Sequence, residues 1–260
     1  MYRISEKLNS SIPSTAEMMR KNDTRGLLEL IISQKSADCI DINTELCGGD
    51  RVAMMTEVAE LCIRECGCDI MIDSPDEQVL AAVLPIIRAR RVIVNSVTLT
   101  ERIDALLEPM AKFGAGVVAL PISGGRVPSS AAERVENAKK LYARLIEGGI
   151  KSENIYIDAL SEAVATNPDA GKITLETVKG IKAEIKVAHI VCGLSNTSFG
   201  LPKRGFINAA ALELLTAAGM DAAIMNVTAS GKTCEAAKRV FLGEDEYAIE
   251  YIGLVRSNSI

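Results

Sequence analysis

Residues 39–73 read CIDINTELCGGDRVAMMTEVAELCIRECGCDIMID and contain one complete strand–helix–strand unit. The two predicted strands, Cys39–Ile42 and Asp69–Ile72, are short and almost continuously apolar, as is typical of parallel strands that are buried on both faces. Between them, Val52–Ile63 has the apolar spacing of an amphipathic helix. This stretch therefore predicts two parallel strands joined by a helical crossover.

The same alternation continues along the chain. Short apolar runs predict six further strands at Tyr2–Ile4, Arg91–Val94, Gly116–Leu120, Asn154–Ile157, Val187–Cys192 and Asp221–Met225. Amphipathic stretches between them predict helices at Glu101–Phe113, Ala131–Glu147, Leu175–Ile185 and Ile207–Ala218. Ser74-Pro75 is expected to open one helix, and Ser130 with Glu133 forms a candidate capping box. Eight such units predict an α/β fold, a single (β/α)8 TIM barrel over residues 1–260, with an open doubly wound sheet as the alternative.

Composition limits the classes of function. The chain has 260 residues, of which 48% are hydrophobic and 24% charged, and a net charge of −5. This balance carries no positive footprint for nucleic acid or for an anionic membrane. Met1–Asn9 has no apolar stretch long enough for a signal peptide, and no run approaches the length of a membrane-spanning helix, so we expect neither. The seven cysteines are odd in number and lie mostly in apolar segments, so we expect reduced thiols and a cytoplasmic protein.

Polar side chains follow nearly every predicted strand. They are Asn9, Asp41 and Asn43, Asp73, Asn95 and Ser96, Asp158, Ser195 and Asn196, and Asn226. A barrel gathers the carboxyl ends of its strands on one face, where its active site is built. Asp and Asn are also common in turns and at helix N-caps, and for any single residue this interpretation stays open. Taken together, the set predicts a pocket of hydrogen-bond donors and acceptors with few cations.

The chemistry of such a pocket suits a planar, nitrogen-rich heterocycle. Carboxylates accept hydrogen bonds from ring N–H and amino groups, whereas amides both donate and accept. A phosphorylated sugar would instead require arginine, lysine or a bare helix N-terminus. We therefore expect a heterocyclic ligand.

Three further motifs have weaker interpretations. Gly231-Lys232-Thr233 follows the eighth strand as a phosphate loop would, but the first glycine of that loop is missing, so a helix cap is favoured. Cys62, Cys66 and Cys68 lack the paired spacing and the histidine of a zinc site, which favours core packing without metal. His189 is the only histidine, and we expect it to be buried in a strand with a backbone partner rather than to act as a general base.

The stretch after the seventh strand carries a resemblance to a known family. Residues 193–204 read GLSNTSFGLPKR, which resembles the G-L-S-N-x-S-F-G-L-P-x-R signature of pterin-binding methyltransferases, especially the methyltetrahydrofolate–corrinoid protein methyltransferases. Five other fragments are similar to family motifs and occur in the same order: Ser5–Asn9, Asp41–Asn43, Ile72–Ser74, Val94–Ser96 and Tyr156–Asp158. The resemblance thus extends over almost the entire chain.

The resemblance implies roles for individual residues. Asp73, Asn95 and Asp158 are expected to hydrogen-bond the pterin ring. Asn196 is expected to lie beside N5 of the pterin as the catalytic residue. The remaining expected site residues are Asp41 and Asn43 at the pocket floor, and Ser195 and Ser198 in the loop around Asn196.

The implied reaction is methyl transfer, in either direction, between N5 of tetrahydrofolate and the cobalt of a corrinoid protein. Methyltetrahydrofolate or tetrahydrofolate would be the substrate, and cobalamin would be carried by the separate partner protein. The family also implies a homodimer, no metal of the enzyme's own and a place in one-carbon metabolism. Three departures from the family pattern leave the partner and the direction open: Lys7 in place of arginine, Thr44–Cys47, and the loop Ile122–Gly125.

Two alternatives remain. Dihydropteroate synthase has the same barrel, but its usual motifs after strand one and near strand seven are replaced here by Leu8–Ser11 and the Ser195-Asn196 loop. A non-catalytic subunit that binds folate or docks a corrinoid protein is the second alternative. A turnover assay separates it from an enzyme.

Overall fold

The computed structural model describes residues 1–100, 103–227 and 235–257. Within them, parallel strands form one sheet. These are β1 (Tyr2–Asn9), β2 (Cys39–Asn43), β3 (Asp69–Asp73), β4 (Val92–Leu99), β5 (Gly116–Ser123), β6 (Ile155–Asp158), β7 (His189–Val191) and β8 (Ala222–Met225). Their spatial order is β7-β6-β5-β4-β3-β2-β1-β8, so that strands adjacent in sequence are neighbours from β1 to β7.

The two ends of this sheet meet between β7 and β8. The backbone N–H of Ile224 donates to the carbonyl of Cys192 at 2.9 Å, and that of Asp221 donates to Ile190 at 3.2 Å. Gly193, just after β7, also forms a parallel bridge with Ile224. These contacts close the sheet into a barrel. The predicted (β/α)8 class is therefore confirmed, and the open doubly wound alternative is wrong.

Helices surround the barrel. The described α-helices are α1 (Pro13–Arg20), α2 (Thr24–Ser33), α3 (Arg51–Cys66), α4 (Glu77–Val83), α5 (Ile103–Phe113), α6 (Ala131–Glu147), α7 (Ala170–Glu184), α8 (Leu194–Thr197), α9 (Arg204–Ala218), α10 (Glu235–Phe241) and α11 (Ile249–Arg256). In the described part of the chain, no helix has the length and apolar character needed to cross a bilayer. The start of the helix predicted from Glu101 and the motif Gly231-Lys232-Thr233 lie outside the described residues.

Local capping explains where two helices begin. Helix α6 has the predicted bounds, and the Ser130 hydroxyl accepts from the backbone N–H of Glu133 at 3.3 Å, which is one of the two hydrogen bonds of the proposed capping box. The Glu133 carboxylate pairs with Arg126 instead of completing the box. The prediction that Ser74-Pro75 opens a helix was wrong by two residues. Asp76 is the N-cap of α4, and the Ser74 hydroxyl accepts from the Asp76 backbone N–H at 3.1 Å. Ser74 thus shapes the turn that precedes the cap.

The barrel interior contains one buried apolar layer with a member from each strand. Its members are Ile4, Cys39, Met71, Ile93, Val118, Tyr156, Val191 and Ala222. Because side chains two positions apart on a strand project from the same face, the next residue but one also points inward. Four predicted site residues follow this layer by two positions: Asp41 after Cys39, Asp73 after Met71, Asn95 after Ile93 and Asp158 after Tyr156. A larger apolar cluster lies between the strands and the helices.

His189 lies at the opposite, amino-terminal end of the barrel. Its Nδ1 is 2.9 Å from the Asp221 carboxylate, and its ring stacks on Tyr156 with centroids 4.7 Å apart. The expected backbone partner was wrong, because Asp221, immediately before β8, supplies a carboxylate at this position. The location excludes His189 as a general base among the strand-end carboxylates.

Candidate active site

A row of polar residues crosses four neighbouring strands at the carboxyl end of the barrel. Asn9 is in register with Asn43, Asn43 with Asp73, and Asp73 with Asn95. The Asn9 side chain turns to its own loop and accepts from the backbone N–H of Ser11 at 2.8 Å. The other three were predicted as site residues, and the structure brings them together at one level of the rim.

Asn43 fixes the position of Asp73. Its amide Nδ2 donates to Asp73 Oδ2 at 3.0 Å, while its Oδ1 accepts from the Ser10 hydroxyl at 2.9 Å and from the Glu45 backbone N–H at 3.1 Å. Because both ends of the amide are engaged, its orientation is determined. Burial raises the pKa of Asp73, and the Asn43 hydrogen bond opposes that rise. Ser10 is a support that the strand-end pattern did not reveal.

Asp41 lies one layer deeper, below this row. It is buried, and the side chain of Asn95 hydrogen-bonds to its carboxylate. Its Oδ1 has no hydrogen-bond partner among the described residues. Burial raises the pKa of Asp41 well above its usual range, and the nearby carboxylates of Asp73 and Glu6 raise it further. The pocket floor therefore carries a buried polar atom whose hydrogen-bonding capacity is unmet within the described protein.

Asp158 ends β6 and is also buried. The backbone N–H of Leu160 donates to its Oδ1 at 2.6 Å. Burial raises the pKa of Asp158 to about 6, and the Leu160 hydrogen bond and the positive charge of Arg134 oppose that rise. At neutral pH most of the carboxyl group is consequently ionised, and it can accept hydrogen bonds from a ligand.

The loop after β7 is tied to two other elements. The Ser195 hydroxyl donates to the Glu6 carboxylate of β1 at 2.5 Å. From the start of α9, Arg204 donates to the Ser195 carbonyl at 2.6 Å and to the Ser198 hydroxyl at 3.1 Å. Asn196 is exposed in the short helix α8 between these anchors. Ser195 and Ser198 thus make the contacts that hold the loop around Asn196.

Glu6 and Arg204 were not predicted to support this loop. Both lie inside fragments that carry the family resemblance, and this is the signal that could have identified them. Both contact Ser195, Glu6 because the closed barrel brings β1 next to the loop after β7. The pattern of single strands does not predict this proximity.

A cleft of about 310 Å³ opens beside Asp73. Ser74, Ser96 and Thr98 supply polar groups to its wall, and Leu80 and Leu106 supply apolar ones. Its described lining does not include Asp158 or Asn196. The common site is therefore defined by the strands and not by this cleft. Strand register places Asn43, Asp73 and Asn95 side by side, and Asp158 projects from the same inward face of the barrel.

The arrangement combines carboxylate acceptors with amides that both donate and accept. No group of three or more His, Cys, Asp or Glu side chains in the described residues has the geometry of a metal site. The donor set fits a flat ring with several N–H groups better than it fits a phosphate, as phosphate recognition would need cationic groups or free helix N-termini.

Two proteins of known activity have sequences similar to this chain. A methylcorrinoid:tetrahydrofolate methyltransferase of Eubacterium limosum is 27% identical over 271 aligned residues, covering 100% of this chain and 98% of that protein. The methionine synthase of Mycobacterium tuberculosis is 29% identical over 247 residues, which cover 85% of this chain and 21% of that longer protein.

Solved structures are similar in fold. A dihydropteroate synthase from Xanthomonas albilineans, in complex with 7,8-dihydropteroate, has a TM-score of 0.64 at 15% identity and covers 99% of this chain and 93% of its own. The Yersinia pestis dihydropteroate synthase has a TM-score of 0.63 at 15% identity, with 98% and 93% covered. At such low identity, these structures establish the fold alone.

A family model described as pterin binding enzyme matches residues 6–226. The match begins at Glu6 in β1 and ends at Asn226, just after β8, so it includes all the predicted site residues. It agrees with the resemblance carried by residues 193–204 and by the strand-end fragments. The chain belongs to the family of pterin-binding enzymes.

Proposed function

We propose that this chain is a methyltransferase that moves a methyl group between N5 of tetrahydrofolate and the cobalt of a corrinoid protein. The observation that carries the proposal is the set of Asp73, Asn95 and Asp158 on β3, β4 and β6, on the inward face towards the carboxyl end of the barrel, with Asn196 exposed in α8 just after β7. The full-length similarity to the Eubacterium limosum methyltransferase supports the choice of reaction.

In this proposal, the strand-end side chains recognise the pterin ring. Asp158 is mostly ionised at neutral pH and accepts from ring N–H and amino groups. Asp73, held by Asn43, offers a second carboxylate, and Asn95 offers an amide that can donate or accept. The unmatched Oδ1 of Asp41 is a further group that a polar ligand or water could satisfy. Together these groups set the orientation of the ring and so the position of N5.

In this proposal, Asn196 acts on N5, the nitrogen whose bond to the methyl group breaks or forms. When a methyl group leaves N5 for cobalt(I), the electron pair of the breaking bond stays on nitrogen, and the nitrogen then takes a proton from solvent. An amide is too weak an acid to supply that proton, but it can donate a hydrogen bond that strengthens as charge develops. In the reverse direction N5 attacks methylcobalt(III), and the same contact assists the same transition state.

The second substrate would approach from the rim. Asn196 and its neighbour Phe199 are both exposed there, and 67% of the Phe199 residue surface is accessible. A corrinoid carried by a separate protein must reach N5 in line with the methyl group, so the mouth has to stay open to a large macrocycle. We further propose that residues 1–260 act as one barrel domain, that the protein is a homodimer formed through barrel helices, and that it serves one-carbon metabolism in the cytoplasm.

The dihydropteroate synthase alternative has less support. Its solved representatives share the fold at 15% identity, whereas the curated methyltransferase matches the whole chain at 27%. The strand-one segment Leu8–Ser11 also lacks the motif that dihydropteroate synthases usually carry. We therefore do not propose that activity.

One assay tests the proposed function directly. The full chain is mixed with methylcobalamin and tetrahydrofolate, and the visible spectrum of cobalt is followed while methyltetrahydrofolate is quantified. Methyltetrahydrofolate should appear in step with loss of the methylcobalamin spectrum. Binding of tetrahydrofolate without transfer, from free cobalamin or from any corrinoid protein, would favour the non-catalytic subunit instead.

A further inference from the structure

Arg134 of α6 is completely buried and hydrogen-bonded around its whole guanidinium group. Its Nε donates to the carbonyl of Pro128 at 3.0 Å, and its Nη1 donates to the carbonyls of Ala159 at 3.2 Å and Leu160 at 2.6 Å. Its Nη2 donates to the Glu162 carboxylate. A buried charge is costly unless it is paired and hydrogen-bonded, and these four acceptors meet that requirement.

These acceptors come from two segments. Pro128 belongs to the loop that leads from β5 into α6, and the other three lie directly after Asp158 at the end of β6. Arg134 therefore joins the two loops that border Asp158. It does so with several fixed donors at once, a geometry that a planar guanidinium provides and a lysine ammonium does not.

The backbone of Leu160 connects Arg134 to Asp158. Its carbonyl accepts from Arg134, and its N–H donates to the Asp158 carboxylate at 2.6 Å. Leu160 has a φ of 59°, in the left-handed region that residues with a side chain adopt only when their surroundings compensate the strain. Two hydrogen bonds, one on each side of the residue, supply that compensation here.

We propose that Arg134 is a positioning residue for pterin recognition, which holds Leu160 in its left-handed conformation and so directs the Asp158 carboxylate into the mouth of the barrel. The proposal rests on the proposed function for the identity of the ligand. It assigns Arg134, which does not line the site, two separable effects on Asp158: a geometric one through Leu160, and an electrostatic one through its charge.

The charge effect follows from the groups near Asp158. In the described residues these are Arg134 on α6, which stabilises the carboxylate, and the thiol of Cys192, the residue just after β7. Glu162 pairs with Arg134 and offsets part of its charge. Burial has already raised the pKa of Asp158 to about 6. Removing the positive charge should raise this pKa towards neutrality, whereas removing the negative charge of Glu162 should lower it.

Three substitutions separate the two effects when tetrahydrofolate binding is measured by calorimetry across pH. Arg134→Lys keeps the charge but loses the multiple donors, so affinity should fall roughly tenfold or more with an unchanged pH midpoint. Arg134→Gln removes the charge, so the midpoint should also move to higher pH. Glu162→Gln keeps the hydrogen bonds from Arg134 to the backbone carbonyls but removes a negative charge near Asp158, so the midpoint should move to lower pH.

Two further variants make the test specific. Leu160→Gly removes the penalty for a positive φ, so adding it to Arg134→Lys should restore part of the lost affinity if the geometric effect is real. Arg126→Lys is the matched control, because Arg126 pairs with Glu133 near the start of α6, and no hydrogen bond or ion pair among the described residues joins it to the segment after Asp158. It should bind tetrahydrofolate like the parent protein.

The possible outcomes distinguish this proposal from the proposed function. If the parent chain does not bind tetrahydrofolate, the proposed function fails. Arg134 can then be tested in the unliganded protein by following the titration of the Asp158 carboxyl carbon by NMR. If Arg134→Lys and Arg134→Gln lower only thermal stability, and the affinity and the Asp158 titration stay at parent values, Arg134 is merely structural and the positioning role is overturned.

Discussion

The amide of Asn43 donates a 3.0 Å hydrogen bond to the carboxylate of Asp73, its in-register partner on the adjacent strand. The oxygen of the same amide accepts hydrogen bonds from the Ser10 hydroxyl and from the backbone N–H of Glu45. Asp73 therefore has a fixed direction before any ligand arrives. This kind of preorganisation lowers the cost of binding, because the side chain has no freedom left to lose.

Asn43→Ala should weaken tetrahydrofolate binding by about 1–2 kcal/mol through loss of this support. The Asn43 hydrogen bond lowers the pKa of Asp73, so its removal should also shift the acid limb of binding to higher pH. Calorimetric titration at several pH values measures both effects. Asn154→Ala, at the opposite end of the barrel, is the matched control. Equal affinities for both variants would remove Asn43 from the site.

Asp73→Ala and Asp158→Ala should each weaken pterin binding by about 1–3 kcal/mol, because ring N–H donors would be left without an acceptor in a partly dry pocket. The loss should be larger for Asp158, which is the more deeply buried of the two carboxylates. Thermal unfolding of each variant serves as the control for folding. If both variants retain the parent affinity, the ring binds elsewhere.

Asp41→Asn should make the folded protein more stable at neutral pH, by roughly 1–3 kcal/mol. Burial and neighbouring carboxylates raise the folded-state pKa of Asp41 above its unfolded value. The folded state therefore binds the proton more tightly, and this contribution to stability is present at low pH and is lost as pH rises through the folded-state pKa. Denaturant unfolding between about pH 5 and about pH 8 checks the sign.

The asparagine variant cannot lose a proton at this position, so its stability should depend less on pH than that of the parent protein. The same substitution should lower pterin affinity or turnover. The buried Oδ1 of Asp41 has no hydrogen-bond partner in the described protein, and a group that lowers stability in this way is expected to be kept because it serves function. A variant that is less stable than the parent at neutral pH would show that the Asp41 carboxyl group is accommodated without strain.

Asn196→Ala should reduce the rate of methyl transfer on the order of 10²–10³-fold while leaving tetrahydrofolate affinity nearly unchanged. Loss of one preorganised donor at the reacting nitrogen accounts for this selectivity. Single-turnover spectroscopy at the cobalt, with pterin at saturation, measures it. Asn196→Asp should regain activity as pH falls, because its carboxyl group donates only when protonated. An alanine variant that reacts at the parent rate would falsify the donor role.

Light scattering should detect a homodimer at micromolar concentration, and the dimer should transfer methyl groups with its rim accessible. The expectation derives from the family resemblance and from the space that a corrinoid protein needs above the barrel. Adding a corrinoid partner should increase the scattering mass without dissociating the dimer. A stable monomer with full activity would contradict the assembly.

The sequence was sufficient to predict the barrel and the level of its active site. Buried parallel strands need apolar side chains on both faces, so Cys39–Ile42 and Asp69–Ile72 could be located, and the polar residues that end them followed. The strands extend further than the apolar runs, for example to Asn9 and Asn43, because backbone pairing continues through polar residues. Hydrophobicity alone cannot mark that end.

The supporting residues could not be predicted in the same way. Arg134 is a charged residue that is buried in a helix, where a sequence pattern predicts an apolar side chain. Its four acceptors are six to twenty-eight residues away along the chain. Glu6 meets Ser195 only because β1 and β7 both flank β8 in the closed barrel. Such contacts are consequences of closure, and no local periodicity encodes them.

The junction of β7 with β8 is held by only a few backbone hydrogen bonds among the described residues, so we expect it to be the least stable part of the barrel wall. Asp73 and Asn95 stand on β3 and β4, which pair with each other without interruption from Ile70 to Asp73, whereas Asn196 follows β7, a three-residue strand whose outer edge meets β8 beside Gly193. Amide protons at this seam, such as those of Ile224 and Asp221, should exchange with deuterium sooner than those between β2 and β3. In the proposed reaction, the pterin ring would then be bound by the more stable strands that carry Asp73 and Asn95. Asn196, which contacts the nitrogen that gains or loses the methyl group, would lie beside the less stable junction.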